Sequence, residues 1–176
     1  MRRVAVIGCG GAGKTTLANE LARRLALPVV HIDSHYWTLI DEERVESSPD
    51  QWVACHRDLI AEDSWVMDGM KFGVLDERLT RADAVIYLDL STFACLIGVV
   101  RRRIRYRGRG RPEIGVYDRI TWEFVRWVCS FRRRQRPELL ARLAAFDGQT
   151  FVLRSRRDTQ RFLDMLDRVE RRPAAA

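Results

Sequence analysis

The residues best suited to chemistry in this chain form a glycine-rich stretch near its start. Residues 8–15 read Gly-Cys-Gly-Gly-Ala-Gly-Lys-Thr, which matches the G-x-x-x-x-G-K-[ST] pattern of a phosphate-binding loop, the Walker A motif. In such a loop the backbone N–H groups surround phosphate oxygens, the lysine reaches the β- and γ-phosphates, and the threonine hydroxyl ligates Mg²⁺. The sequence therefore predicts a site for ATP and Mg²⁺, contacted by Gly8, Gly10, Gly11, Ala12, Gly13, Lys14, Thr15 and Thr16.

Two acidic residues at the ends of apolar runs are predicted to complete a phosphoryl-transfer site. Asp89 follows the run 84–88, where P-loop proteins keep a carboxylate that holds Mg²⁺; the alternative is a helix cap. Asp33 follows the run 29–32, from where it can accept or orient the hydroxyl proton of a phosphate acceptor. The alternative for Asp33 is a residue that caps its own turn.

Arginine is concentrated in the second half of the chain. The formal net charge is +7, and residues 101–136 hold 13 arginines against three acids. Guanidinium groups bind phosphoryl oxygens bidentately, so we expect Arg105 and Arg109 to close over the transferring group from a glycine-punctuated lid at about residues 105–116. Because aromatic residues interleave with this basic zone, the alternative is a nucleotide-regulated nucleic-acid-binding protein with weak ATPase activity.

Secondary-structure patterns place these residues on an alternating β/α framework. Helical patterns separate five strand-like runs, at residues 4–7, 29–32, 65–67, 84–90 and 150–153. This alternation predicts an α/β fold with a five-stranded parallel sheet and helices on both faces. Start signals predict a helix from Pro49, capped by Ser48 with Gln51, and another after Ser91. Two further helices are predicted at residues 118–134 and 158–171.

The length of 176 residues suits one domain, which we place at residues 1–172, with a flexible tail at 173–176. Ligands of parallel sheets bind beyond the carboxyl ends of the strands, so the acceptor-side region is expected at about residues 34–80. Tryptophans at positions 37, 52 and 65 either line that pocket or pack in the core.

Several classes of protein are disfavoured by the same sequence. The four cysteines form no C-x-x-C pair, and His31 and His35 have no third partner at zinc-site spacing. The longest apolar run, residues 93–100, is too short to span a membrane, and no signal peptide is visible. A cytoplasmic protein without a membrane partner is therefore expected, and the sequence leaves its oligomeric state open.

Taken together, several stretches resemble adenylate-kinase-like P-loop proteins of the DNA topology modulation protein type. The stretches are residues 7–16, 27–33, 65–69, 81–83, 102–112, 122–124 and 152–157. The resemblance implies the P-loop kinase fold with a lid over the nucleotide. It puts Arg105 near the base, Arg109 on the phosphates and the loop with Arg154 and Arg157 at the adenine. It also implies that the acceptor faces Asp68, Gly69, Lys71 and Arg78.

These observations converge on one predicted activity. The chain is expected to be a Mg²⁺-dependent kinase that moves the γ-phosphoryl group of ATP to a small acceptor, which is a nucleotide, a nucleoside or a metabolite. Lys14, Asp33, Arg105 and Arg109 are its predicted catalytic residues, and Thr15 and Asp89 its predicted metal ligands.

Overall fold

The computed structural model describes residues 1–40, 43–46, 48–106 and 120–170. The strands are β1 (Arg3–Gly8), β2 (Val29–His31), β3 (Trp37–Ile40), β4 (Glu43–Glu46), β5 (Trp65–Asp68), β6 (Ala84–Leu88) and β7 (Gln149–Leu153). The helices are α1 (Lys14–Leu25), α2 (Ile32–Tyr36), α3 (Pro49–Ala61), α4 (Leu75–Arg81), α5 (Thr92–Tyr106), α6 (Trp122–Arg134), α7 (Arg136–Ala144) and α8 (Arg156–Glu170), with a 3₁₀ turn at Phe72–Val74.

Five strands form one parallel sheet in the order β2-β5-β1-β6-β7. The apolar runs of β1, β5 and β6 are almost fully buried, as expected for strands covered by helices on both faces. The predicted five-stranded parallel α/β fold is therefore confirmed. Because β1 is central, the loop that follows it lies between the carboxyl ends of β5 and β6.

Local signals set the helix boundaries. Ser48 and Gln51 form a reciprocal capping box with Pro49 in the first turn of α3. Ser91 Oγ accepts from the Ala94 N–H at 3.2 Å, so the predicted cap of α5 is confirmed. Among the described residues, helix α6 begins at Trp122, after a Thr121 cap, rather than nearer the predicted start at residue 118.

The region between β2 and α3 differs from the sequence-based expectation. Strand β2 ends at His31, and Asp33 lies in the first turn of the short helix α2. An antiparallel pair, β3 with β4, follows α2. Trp65 is fully buried in β5 and Trp52 is buried on α3, so these two tryptophans pack in the core.

The core lies on both sides of the sheet. Helix α1 buries one apolar face, formed by Leu17, Ala18, Leu21 and Ala22, against β5 and β1. Within the described ranges, no helix combines the length and the apolar character needed to cross a bilayer. Most of the predicted lid, residues 107–116, and the predicted tail lie outside the described residues.

Candidate functional site

The phosphate-binding loop joins β1 to α1 and has the backbone conformation that its glycines predict. Gly11 and Gly13 have φ angles of +80° and +98°, a region that side-chain-bearing residues rarely adopt. Gly13 is the N-cap of α1, so the loop leads directly into the positive end of the helix dipole. Lys14 Nζ donates to the Cys9 carbonyl oxygen at 3.1 Å. The loop therefore has the backbone geometry of an anion-binding site.

Two helices hold this loop from its other side. A Cβ atom on Gly11 would lie 2.1 Å from the Cys95 carbonyl oxygen, and one on Gly98 would lie 2.0 Å from the Gly11 carbonyl oxygen. A Cβ atom on Gly10 would meet the Phe124 ring at 2.6 Å. The loop thus contacts α5 and α6 so closely that even a methyl group would displace it.

Asp68, at the carboxyl end of β5, lies directly against the start of α1. The Thr15 hydroxyl donates to Asp68 Oδ2 at 2.8 Å. The other carboxylate oxygen, Oδ1, is hydrogen-bonded to His31 Nδ1. The opposite ring nitrogen of His31 lies 3.1 Å from Asn19 Oδ1. A polar chain therefore runs from the P-loop threonine through the buried Asp68 and His31 back to α1.

Asp89, at the carboxyl end of β6, has arginine partners instead. Arg136 donates Nε–H to Oδ1 at 2.8 Å and Nη2–H to Oδ2 at 2.7 Å. Arg132 Nη1 lies 3.3 Å from Oδ1, and the Tyr87 hydroxyl donates to the same oxygen at 3.2 Å. Burial alone would raise the pKa of Asp89, but its arginine partners outweigh burial and hold that pKa below its ordinary value.

The structure thus gives the two predicted metal ligands, Thr15 and Asp89, different kinds of partner. Thr15 has a carboxylate partner, but that partner is Asp68, which the family resemblance places at the acceptor. Both oxygens of Asp89, the sequence-based choice, accept from guanidinium groups. The assignment of Asp89 to Mg²⁺ stays a prediction, and the geometry favours Asp68.

The predicted acceptor residues gather around the loop that follows β5. Gly69 has a φ angle of +135°, and a Cβ atom there would lie 2.1 Å from Ile32 Cγ1, which precedes Asp33. Arg78 Nη1 donates to the Gly69 carbonyl oxygen at 3.0 Å, and its Nε lies 3.4 Å from His56 Nε2. Arg78 is fully buried, so this conformation gives it a loop-holding role, and its contact with an acceptor stays a prediction.

The electrostatics of this corner follow from that burial. Burial lowers the pKa of Arg78 to about 10, against the opposing charges of Asp68 and Asp33. The same effect, together with the Arg78 charge, lowers the pKa of His56 to about 4. Asp33 and Asp68 are therefore close enough to one buried guanidinium for their charges to act on it. Lys71 lies at the N-terminal boundary of the 3₁₀ turn in the same segment.

The remaining predicted residues lie at the periphery or outside the described ranges. Arg105 is exposed in the last turn of α5, and Arg109 lies outside the described residues. Arg154 and Arg157 are exposed just beyond β7, where the Arg154 backbone N–H donates to Asp158 Oδ2 at 3.1 Å. Thr16 is exposed, and Ala12, within the loop, is buried.

Sequence reasoning missed Asn19, His31, Arg132 and Arg136 as site residues. Asn19 follows Thr15 by one helical turn, and His31 ends a strand two residues before Asp33, so both carry a positional signal. Arg132 and Arg136 are hidden among the arginines of the 101–136 zone, and nothing local distinguishes them. Among the described residues, no group of three or more His, Cys, Asp or Glu side chains could hold a metal ion.

Comparisons with protein families and curated sequences say little about this chain. No protein-family model matches this chain. It is similar to the uncharacterized protein YqaC of Bacillus subtilis (strain 168), with 25% identity over 87 residues, which are 49% of this chain and 48% of that protein. The chain thus matches about half the length of this curated relative.

Two solved structures match almost the whole chain. Shikimate kinase from Acinetobacter baumannii, solved in complex with shikimate, aligns with a TM-score of 0.62 at 14% identity, over 98% of this chain and 96% of that one. Shikimate kinase from Bacteroides thetaiotaomicron aligns with a TM-score of 0.52 at 15% identity, over 96% of this chain and 98% of that one. The chain therefore has the P-loop kinase fold.

Proposed function

We propose that this protein is a P-loop phosphotransferase that moves the γ-phosphoryl group of Mg-ATP to a small acceptor. The observation that carries the proposal is the phosphate-binding loop with the Thr15–Asp68 hydrogen bond beside it. The fold shared with two small-molecule kinases supports it. The proposal retains the sequence-based resemblance to adenylate-kinase-like proteins of the DNA topology modulation protein type.

The nucleotide would bind with its phosphates in the loop. Lys14 releases the Cys9 carbonyl and turns to the β- and γ-phosphates, which a flexible side chain with a compact charge can do. Gly8, Gly10, Gly11, Ala12, Gly13 and Thr16 form the surrounding loop. The exposed Arg154 and Arg157 flank the adenine, on the side of β7.

Mg²⁺ would be held by the Thr15 hydroxyl, by phosphate oxygens and by waters that Asp68 orients. These residues fit the ion, because Mg²⁺ takes oxygen ligands and keeps several of its waters. A bound Mg²⁺ neutralises charge that develops on the phosphoryl oxygens. The carboxylate beside Thr15 is Asp68, so we assign it the role that the sequence gives to Asp89.

The acceptor would lie between α2 and the loop after β5. Asp33 is only half-buried in the first turn of α2, so its carboxylate can orient or accept a hydroxyl proton. Gly69 and Lys71 border the same space, and Arg78 holds its floor through the Gly69 carbonyl. Arg105 approaches from the end of α5, and Arg109 from the predicted lid. Since the two structural neighbours are shikimate kinases, small hydroxylated metabolites join nucleosides and nucleotides as candidate acceptors.

The decisive measurement is ADP formation from Mg-ATP with a panel of nucleosides, nucleoside monophosphates and hydroxylated metabolites that includes shikimate. We expect one acceptor class to raise turnover well above acceptor-free hydrolysis. Lys14→Ala should lower that turnover at least about 100-fold, because it removes charge stabilisation of the transferring group. Arg57→Ala is the matched control, since it removes a largely exposed cation of α3 whose ion-pair partner is Glu77.

Two results would contradict the proposal. One is a Lys14→Ala protein that transfers phosphate as fast as the parent. The other is slow, acceptor-independent hydrolysis together with salt-sensitive DNA binding, which would favour the nucleic-acid-binding alternative. Two arginines of the 101–136 zone, Arg132 and Arg136, already face Asp89, which leaves fewer cations for a phosphate backbone.

A further inference from the structure

The polar chain behind Thr15 involves two residues that the proposed reaction does not itself use. His31 Nδ1 is hydrogen-bonded to Asp68 Oδ1, and His31 Nε2 lies 3.1 Å from Asn19 Oδ1. His31 and Asp68 are 8% and 4% exposed, so water does not replace these partners. Buried polar groups of this kind are kept only when they are satisfied by one another.

The side chains of Thr15, Asp68, His31 and Asn19 form a ring that is closed by helix α1, which carries both the first and the last of them. Thr15 and Asn19 are four residues apart on α1 and therefore lie on one face of that helix. His31 and Asp68 are register partners on the neighbouring strands β2 and β5. Helix α1 packs against β5, which brings the two pairs together. Each side chain of the ring is thus placed by a regular element rather than by a loop.

This ring of four side chains determines where the single proton of the Thr15 hydroxyl points. When Thr15 donates to Asp68 Oδ2, its lone pairs face away from that carboxylate and are free for a cation. A carboxylate alone rotates easily about its last torsion, which would let the proton turn elsewhere. His31 fixes the second oxygen of Asp68 by donating its Nδ1–H, and the Asn19 side-chain amide, which lies 3.1 Å from Nε2, limits rotation of the imidazole.

We propose that His31 and Asn19 are positioning residues that hold Asp68 against Thr15 and thereby set how strongly Mg²⁺ enhances nucleotide binding. This inference rests on the proposed binding of Mg-ATP at the loop. It needs no proton transfer through His31, only the donor that His31 presents to Asp68. Removing a residue that orients a metal ligand commonly lowers the metal affinity by about 10- to 100-fold.

The test compares two substitutions of the same histidine. His31→Asn places an amide N–H where the ring has Nδ1, whereas His31→Leu fills similar space without a donor. Binding of a fluorescent ATP analogue is measured with EDTA and then across a Mg²⁺ titration. Thermal unfolding of each variant is recorded beside it. His35→Asn, at an exposed histidine of α2, is the matched control.

We expect every variant to bind the analogue in EDTA within about twofold of the parent, because the loop itself is unchanged. In His31→Leu the Mg²⁺ concentration for half-maximal enhancement should rise about tenfold, and His31→Asn should restore it to within about threefold. Asn19→Ala should give a smaller rise of about threefold, since it acts through His31.

Three outcomes would overturn the inference. An unchanged Mg²⁺ response in both His31→Leu and Asn19→Ala would show that the ring does not position Asp68. An equal loss of the Mg²⁺ response in His31→Asn and His31→Leu would assign the effect to packing of the imidazole rather than to its Nδ1–H donor. A parent protein that binds the analogue without any Mg²⁺ enhancement would overturn it together with the proposed metal site. A normal Mg²⁺ response without phosphotransfer would count against the proposed function alone.

Discussion

Asp68 and Asp89 lie at the carboxyl ends of the two strands that flank β1, yet their hydrogen-bond partners differ in kind. Their side chains are 5% and 3% exposed, so burial does not distinguish them. Asp68 contacts the Thr15 hydroxyl and the His31 ring. Asp89 accepts from the guanidinium groups of Arg132 and Arg136.

The difference shows that the partner, and not the strand position, decides what a buried carboxylate can do. Two guanidinium groups neutralise the field of Asp89, so little of its charge is left to attract a divalent cation. Asp68 keeps one oxygen on a neutral hydroxyl that is itself a candidate Mg²⁺ ligand. We therefore interpret the β5 end as the metal side of the loop and the β6 end as a structural clamp.

The sharpest way to break this comparison is to neutralise each carboxylate in turn. Asp68→Asn should lower Mg²⁺-dependent phosphotransfer at least about 100-fold, because the amide keeps the shape but loses the charge that orients the water ligands of Mg²⁺. Asp89→Asn should stay within about fivefold of the parent rate at a temperature where it is folded. Initial rates across a Mg²⁺ titration measure both effects.

The reverse result would restore the sequence-based assignment. If Asp89→Asn loses the Mg²⁺ response while Asp68→Asn keeps it, Asp89 is the metal carboxylate and its arginines must move away when nucleotide binds. Nucleotide binding in EDTA serves as the control, because neither substitution changes the loop backbone.

The sequence predicts the fold well because the signals for it are local. Apolar runs, the capping box at Ser48 and the cap at Ser91 each lie within a few residues of the element they define. The role of a carboxylate is different, since its partners are distant in the chain. Asp68 and Thr15 are 53 residues apart, and Asp89 and Arg136 are 47 apart. Only the sheet order reveals which strand end faces which helix.

The short elements after β2 are missed for a related reason. Helix α2 has five residues, and serine, aspartate and histidine within it are weak helix formers that favour turns. The Ser34 hydroxyl donates to the His31 carbonyl oxygen at 2.7 Å, a local bond that also occurs in turns. The sequence alone therefore does not show that the strand ends at His31 and that Asp33 lies in the helix that follows.

The clamp side of the comparison predicts a loss of stability rather than of chemistry. Arg136→Ala removes the bidentate partner of Asp89 and leaves Oδ2 without it, while Arg132 and the Tyr87 hydroxyl donate only to Oδ1, at 3.3 and 3.2 Å. We expect a loss of about 2 kcal/mol in the free energy of unfolding, because a buried carboxylate is left poorly paired. Urea unfolding measures it, and Arg134→Ala, at an exposed arginine two residues away, is the control. A stability equal to the parent's, with lower Mg²⁺ affinity, would show that the clamp belongs to the site.

Lowering the pH should reduce the stability of the two sides of the loop in different pH ranges. On the β5 side, His56 has a folded pKa of about 4 against an ordinary value of 6.5, because burial and the Arg78 charge disfavour its protonated form. The unfolded chain therefore binds more protons between pH 6.5 and 4, and stability must fall as the pH decreases through that range. We expect a loss of roughly 1–2 kcal/mol by pH 5.

On the β6 side, the pKa of Asp89 lies below its ordinary value, so the clamp stays ionised there and is lost only in stronger acid. His56→Gln separates the two contributions, because its amide oxygen can accept from Arg78 and does not titrate. Urea midpoints of this variant should change less between pH 7 and 5 than those of the parent, whereas Arg134→Ala, the control at an exposed arginine, should keep the full parental slope in that range. A parental slope in His56→Gln would mean that another group carries the acid sensitivity. His56 would then not make the β5 side of the loop more sensitive to acid than the β6 side. The two sides would differ only in the hydrogen-bond partners of Asp68 and Asp89.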